Sequence, residues 1–290
     1  MRASLLSGLR LGLAAAALVS AACGENETPP PEKSDYQAPT LAPLTCVPNL
    51  DGRIDAAELQ ATFDVSASLL VSPAGETRAV DTVGAVQKDG TFVLPWDADF
   101  ATDQVARIEA APLADQWFAG SFPDGQFVTP QDLGGRRVGI YQQTDEAFLL
   151  WGLASAEENP PEGKTLIVYE TPVTLYQFPI TVGQTYVSKA VASQSTVQGL
   201  PYASNDTYET TVDGMGEVRL PELTFKQTLR VRTKVTLAPV AGPSIVTRQV
   251  SFLAECYGEV ARATAASVPA TQDDGVDIFT QAVEVRRLGF

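Results

Sequence analysis

The sequence predicts a mainly β protein, an antiparallel β-sandwich or a curved half-barrel with one or two short helices. Three observations predict it. From Ala61 onward the apolar residues recur with a period of two, the period of a strand whose side chains alternate between faces. Asp-Gly pairs at Asp89–Gly90, Asp124–Gly125 and Asp213–Gly214 fall between the apolar runs as hairpin turn signals. The 22 Gly and 20 Pro lie mostly in the same gaps, and no long stretch has helical periodicity.

The chain opens with MRASLLSGLRLGLAAAALVSAAC. Arg2 and Arg10 form a basic region, Leu11 to Val19 an apolar core, and Ser20, Ala21 and Ala22 a small-residue stretch before Cys23. Residues 1–22 therefore read as a secretory signal peptide, because the apolar core is too short to span a bilayer. Ala21-Ala22-Cys23 resembles the lipobox of bacterial lipoproteins, with Ser20 where that family usually carries Leu. The resemblance implies that Cys23 is lipidated, becomes the new N-terminus and holds the protein to a membrane. Ser20-x-Ala22 also fits cleavage without lipidation, so both readings stand. Gly24 occupies the place where an Asp is associated with inner-membrane retention in that family, which implies the outer membrane, facing the periplasm or the cell surface.

Residues 23–45 are the cysteine and, behind it, GENETPPPEKSDYQAPTLAPLT, rich in Pro and polar residues and without periodicity. This composition predicts a disordered or polyproline-like tether, which at ~3.1 Å per residue reaches about 70 Å when fully extended. Of the three cysteines, Cys46 and Cys256 remain once Cys23 is set aside. In an oxidising compartment an even pair predicts one disulfide closing a very long loop; two separate buried thiols are the alternative.

Residues 46–60, CVPNLDGRIDAAELQ, resemble the calcium loop of EF-hands and dockerins. Asn49, Asp51, Asp55 and Glu58 stand where that loop places oxygen ligands, Gly52 at its sharp turn and Ile54 at its aliphatic position. Val47 stands where the first ligand belongs, and no second copy follows. The resemblance implies a calcium site built from Asn49, Asp51, Asp55 and Glu58. The other reading is a turn followed by a short helix from Asp55 to Leu59, with Asp55 as its N-cap.

Residues 46–290 are read as the β-rich globular domain, with a division possible at the ENPPEG loop, near 159–163. The clearest strand is Thr228–Ala238. Leu229, Val231, Thr233, Val235 and Leu237 point one way; Thr228, Arg230, Arg232, Lys234 and Thr236 point the other, as expected of a half-buried strand with a wet outer face. Val246–Cys256 places Val250, Phe252, Ala254 and Cys256 on one face, interrupted by Arg248, and Tyr208, Thr210 and Val212 repeat the pattern. Shorter strands are expected at Thr62–Val71, Val80–Gln87, Gln104–Glu109, Val138–Gln142, Ala147–Leu153, Leu166–Tyr169, Val173–Phe178, Tyr186–Ala192, Glu259–Thr264 and Ile278–Arg287, and a short helix at Pro112–Ala119. The stretch from Thr165 to Ala265 resembles secreted β-rich proteins and the curved half-barrel of the LolA type.

Composition narrows the chemistry. Histidine is absent, which removes Ser-His-Asp and Cys-His nucleophiles and His-bearing zinc sites. Net charge is -15; losing Arg2 and Arg10 takes the 20 basic residues to 18 against 35 acidic ones, so the exported chain carries -17. That surface repels phosphate backbones, so nucleic acid is not an expected partner. Gly163-Lys164-Thr165 matches the end of a phosphate-binding loop, but Pro160 and Pro161 precede it and a strand pattern follows. Carboxylates cluster at Asp97/Asp99, Asp145/Glu146, Glu157/Glu158 and Asp273/Asp274/Asp277, beside Gly and Pro as solvated loops are. Trp96, Trp117 and Trp151, with Phe118 and Phe122, fit either a sugar or lipid pocket or the core.

These features place a membrane-anchored envelope lipoprotein with a non-catalytic binding or structural β domain first. Its expected partners are the membrane, through the N-terminal lipid, and a protein, lipid or glycan ligand. A carrier of lipid or another apolar ligand in a curved sheet is the alternative, and a carboxylate-dependent hydrolase is the third reading.

Overall fold

The computed structural model describes residues 46–59, 63 and 65–289, all of them within one compact unit. The expectations for the leader, Cys23 and the tether lie outside the described residues.

The N-terminal excursion contains β1 (Ala67–Val71), β2 (Arg78–Ala79), β3 (Ala85–Val86) and β4 (Phe92–Pro95). Then come β5 (Gln104–Ile108), β6 (Ala111–Pro112), β7 (Phe127–Pro130), β8 (Arg137–Gln143) and β9 (Ala147–Ser155). The long central strands are β10 (Leu166–Gln177), β11 (Thr185–Val197), β12 (Leu200–Arg219), β13 (Thr224–Leu237) and β14 (Ile245–Ala254). The chain ends with β15 (Gly258–Thr264), β16 (Val268–Pro269), β17 (Gln281–Ala282) and β18 (Glu284–Gly289).

Among the described residues, sixteen strands join in one sheet whose main path is β5-β1-β18-β15-β14-β13-β12-β11-β10-β9-β8-β7-β6. Every pairing along this path is antiparallel. The outermost strands, β5 and β6, do not pair with each other, yet Ile108 and Ala111 are three residues apart in the chain, at most ~11 Å. A sheet whose two ends lie that close must bend round on itself. The mainly antiparallel β class expected from the sequence is therefore what the chain adopts, as a large bent sheet left open.

The bend defines an inner face. Tyr141 of β8, Leu150 of β9, Tyr169 and Val173 of β10, and Ala190 and Ala192 of β11 form one cluster there with Phe127. Val212, Leu229, Val231 and Leu253 form a second with Ile54 and Ile180. Two excursions cover the outer face. Residues 113–122, in two 3-10 turns, lay Leu113, Phe118 and Phe122 on Val138, Ile140 and Ala154. The end of β12 and β4 bring Phe92, Leu94, Trp96, Val218 and Leu220 onto Val250 and Phe252 of β14, Ala261 and Ala263 of β15 and Val285 of β18. Asp103 accepts from Arg78 and from the fully buried Arg287, and Arg287 also donates to the carbonyl of Trp96 at 2.8 Å, which ties that cover to β18.

Several sequence expectations change here. Leu166–Tyr169 and Val173–Phe178 belong to one strand, β10, with a bulge between Val168 and Val173. Asp213–Gly214 is not a turn: it lies inside the 20-residue β12, which bulges between Val212 and Gly214. Within Val80–Gln87 only the two-residue β3 forms, β2 ending just before it, and Ile278–Arg287 is broken into β17 and β18. Pro112–Ala119 forms a 3-10 turn at Leu113–Asp115 rather than a longer helix. The ENPPEG loop joins neighbouring strands β9 and β10, so the sheet runs through it unbroken.

Candidate functional site

Three polar features stand out against this frame. The first is a clamp at the start of the domain. A disulfide joins Cys46 to Cys256 with their Cα atoms 5.5 Å apart. Cys256 is not on the β14 face: the strand ends at Ala254, and Cys256 sits in the following turn with φ 65°. The neighbouring Glu255, buried, accepts the backbone N–H groups of Asn49 and Leu50, each at 2.7 Å, and Ile54 pairs with Ile180 through two backbone bonds. The calcium-like loop lies within this clamp. Glu58 accepts the Asn49 amide at 2.8 Å and the Asp55 N–H at 2.9 Å, ending a short 3-10 turn at Ala56–Glu58. The Arg53 guanidinium lies between Asp51 (3.2 Å) and Asp55 (2.9 Å), so a side-chain cation occupies the loop's acidic pair. Among the described residues no group of three His, Cys, Asp or Glu side chains is gathered to hold a metal ion.

The second feature is an ionic network on the inner face. Strand register aligns Ser251, Arg262 and Arg286 across β14, β15 and β18. Ser251 donates to Glu259 at 2.7 Å, Arg262 lies 3.5 Å from Glu259 and 3.6 Å from Glu284, and Arg286 lies 2.8 Å from Glu284. Arg286 also donates to the carbonyl of Gln131 at 2.7 Å, and the Gln131 amide donates to Tyr141, which joins the two ends of the bent sheet. Burial works against the charge on Arg262, but Glu259 and Glu284 hold its proton more tightly than usual. Further along, Asp206 is buried without a cation. Desolvation pushes its carboxyl above the ordinary range, opposed by bonds from the Ala238 N–H, the Tyr169 hydroxyl and the Ser204 hydroxyl.

The third feature lies on the outer face, where sequence alternation predicts a wet surface. Thr228, Arg230 and Arg232 are instead buried. The β12 bulge turns Asp213 toward β13, where its two oxygens take the Nε–H groups of Arg230 and Arg232, each at 2.6 Å. Arg232 also donates to the Thr82 carbonyl at 2.8 Å and Arg230 to that of Val83, so the residues after β2 close over the strand. One register step away, Lys234 pairs with Arg248 across β13 and β14. Arg248, which interrupts the apolar face of β14, reaches Asp273 at 2.6 Å and Asp277 at 3.3 Å; Lys234 reaches Asp273 at 3.4 Å and Glu209 at 3.3 Å. The Asp273–Asp277 loop thus docks onto cations of the sheet. The hydrogen bond from Arg248 holds the Asp273 carboxyl below its ordinary range. A cavity of about 200 Å³ lies beside Arg232, Lys234 and Arg248, floored by Thr185 and Thr211.

The other candidates find places in packing or on the surface. Trp96, Phe118 and Phe122 are buried, and the three indole N–H groups donate to Asp81 O, Ser155 O and Gln142 Oε1. Lys164 stacks over Trp117 at 4.4 Å, and Gly163-Lys164-Thr165 leads into β10 rather than a helix. Asp97, Asp99, Asp145, Glu146, Glu157 and Glu158 are exposed. Sequence reasoning passed over Asp213, Arg232, Lys234 and Glu259, because alternation alone places them on a solvated face or in a turn. Three arginine or lysine residues spaced by two on one strand, Arg230, Arg232 and Lys234, were the available signal. Compared with protein-family models, curated proteins and solved structures, the chain finds no match.

Proposed function

We propose that the protein is an exported, membrane-tethered lipoprotein whose β domain binds a ligand or partner without catalysing a reaction. The observation that carries this reading is the disulfide. Two of the three cysteines pair with each other, which leaves Cys23, behind the leader, as the cysteine outside the bridge and the thiol a lipid anchor would take. The clamp supports the same reading, since pull on a tether ending at Cys46 would pass through the bridge into the turn between β14 and β15. On the inner face Glu259, Arg262, Glu284 and Arg286 pair with one another, which supports the non-catalytic reading. Cys23→Ser should move the protein from the membrane fraction to the soluble fraction; membrane association that survives the change would refute the anchor.

One observation favours the carrier reading. A cavity of about 540 Å³ opens beside Phe63, Phe127 and Pro112, with Gln126 and Gln143 at its polar side. That volume falls in the range of small-molecule sites. Native mass spectrometry of the exported chain, purified without detergent, should retain a lipid-sized adduct if the domain is a carrier, and a bare mass would leave the first reading.

A further inference from the structure

We infer that the outer-face cluster of Arg232, Lys234 and Arg248 is a binding site for an oxyanion, the phosphate, sulfate or carboxylate group of a small ligand. This rests on the reading of the domain as a binding module and names the chemistry of what it binds. Register brings the three cations together: Lys234 stands opposite Arg248, and Arg232 is diagonal to Arg248 on the same face. All three line the 200 Å³ cavity, whose floor offers the hydroxyls of Thr185 and Thr211.

The four cations here meet four carboxylates of unequal cover. Arg230 and Arg232 share the single carboxylate of Asp213, and Lys234 and Arg248 share that of Asp273. Those two carboxylates are 28% and 12% exposed. The remaining two, Glu209 and Asp277, have side chains 47% and 59% exposed and reach Lys234 and Arg248 only at 3.3 Å. Those exposures are the ones of a weakly held surface pair. Beneath them, Nη1 of Arg232 and Nη2 of Arg248 are buried and have no acceptor among the described residues. Buried donors are nearly always bonded, so these two N–H groups, on residues that line the cavity, are open to an acceptor that enters beside them. An oxyanion that takes over from Glu209 and Asp277 would meet Lys234 at the rim and both orphan N–H groups beneath, with the threonine hydroxyls as further donors.

Isothermal titration of the whole exported Cys23→Ser chain with sodium phosphate, sodium sulfate and sodium acetate tests this, at low and at moderate salt. Saturable binding of at least one anion, weakened by salt, is expected, and the tightest of the three identifies the group. Lys234→Gln should weaken it about tenfold or more, since a charged hydrogen bond is lost. Asp277→Asn and Glu209→Gln should tighten it about two- to fivefold, because each removes a competing surface carboxylate; a merely structural role for these residues would not move affinity in that direction. Binding of none of the three up to about 10 mM by a chain folded by circular dichroism, or weaker binding in Asp277→Asn and Glu209→Gln, would overturn the site. Anchorage through Cys23 combined with no anion binding removes the site and leaves the tether; anion binding without Cys23-dependent anchorage does the reverse.

Discussion

Replacing Asp213 by alanine should destabilise the domain far more than any change in a true Asp-Gly turn. The side chains of Arg230 and Arg232 are 11% and 9% exposed, and each gives its Nε–H to a separate Asp213 oxygen at 2.6 Å. Removing the shared carboxylate leaves two guanidinium groups in place with their carbonyl partners alone. Breaking one fully buried pair costs about 3–5 kcal/mol, and a charged hydrogen bond contributes about 1.5–3 kcal/mol. Asp213 is itself 28% exposed, so water can enter, and the cost falls to about 2–4 kcal/mol after that discount. In a domain of this size each kcal/mol moves the melting temperature by about 2–4 °C, so a fall of about 5–15 °C is expected. Urea unfolding followed by tryptophan fluorescence reads the same loss as a lower midpoint at unchanged slope. Asp89→Ala is the control, because Asp89 caps an exposed turn by accepting from the Thr91 N–H and hydroxyl. If Asp213→Ala shifts the midpoint no further than Asp89→Ala, the reasoning about the bulge and its arginines is wrong.

Removing the Cys46–Cys256 bridge, by reduction or by replacing both cysteines with Ala, should lower stability by at most about 5 kcal/mol on the chain-entropy estimate for a sequence separation of 210; free thiols at both positions before reduction would refute the bridge. Asp206→Asn should raise the melting temperature at neutral pH. Burial lifts the Asp206 carboxyl in the folded state, so its native form is best protonated and stability falls as pH rises through that raised value; the advantage of Asn should vanish in acid, and a pH-independent difference would count against it. Asp273→Asn should behave oppositely: the wild-type contribution is present above the ordinary Asp range and lost as pH falls through the depressed value, so the variant melts lower at neutral pH and the gap closes in acid. Gly216→Ala should cost about 1–3 kcal/mol or more, since a Cβ there would lie 2.2 Å from the Phe92 carbonyl where β4 runs beside β12; unchanged melting would argue against that seam.

Alternation at Tyr208–Val212 and at Leu229 and Val231 reads correctly, because those side chains face the inner core and a one-residue slip would turn them outward. The same rule fails at Arg230 and Arg232. A period of two says which residues share a face but not what later covers it, and here the residues after β2 and the β12 bulge do so. Asp213–Gly214 has the composition of a hairpin turn, yet pairing continues through it on both sides, and the extra residue is absorbed as a bulge. The calcium-like loop is legible as a turn and short helical piece around Asp55, whereas the side chain that meets its acidic pair, Arg53, is recognised only from coordinates.

By itself the sequence determined the β class and the small pool of cysteines from which Cys46 and Cys256 pair, since strand period and cysteine number are local or countable properties. Only the tertiary structure decided which charges are buried and beside whom. Asp213, Thr82 and Asp273 come to Arg230, Arg232 and Arg248 from distant stretches of chain, and the bend that joins Arg286 to Gln131 spans 155 residues. Such meetings depend on how the long strands twist and bulge, which propensity and spacing along one strand do not encode.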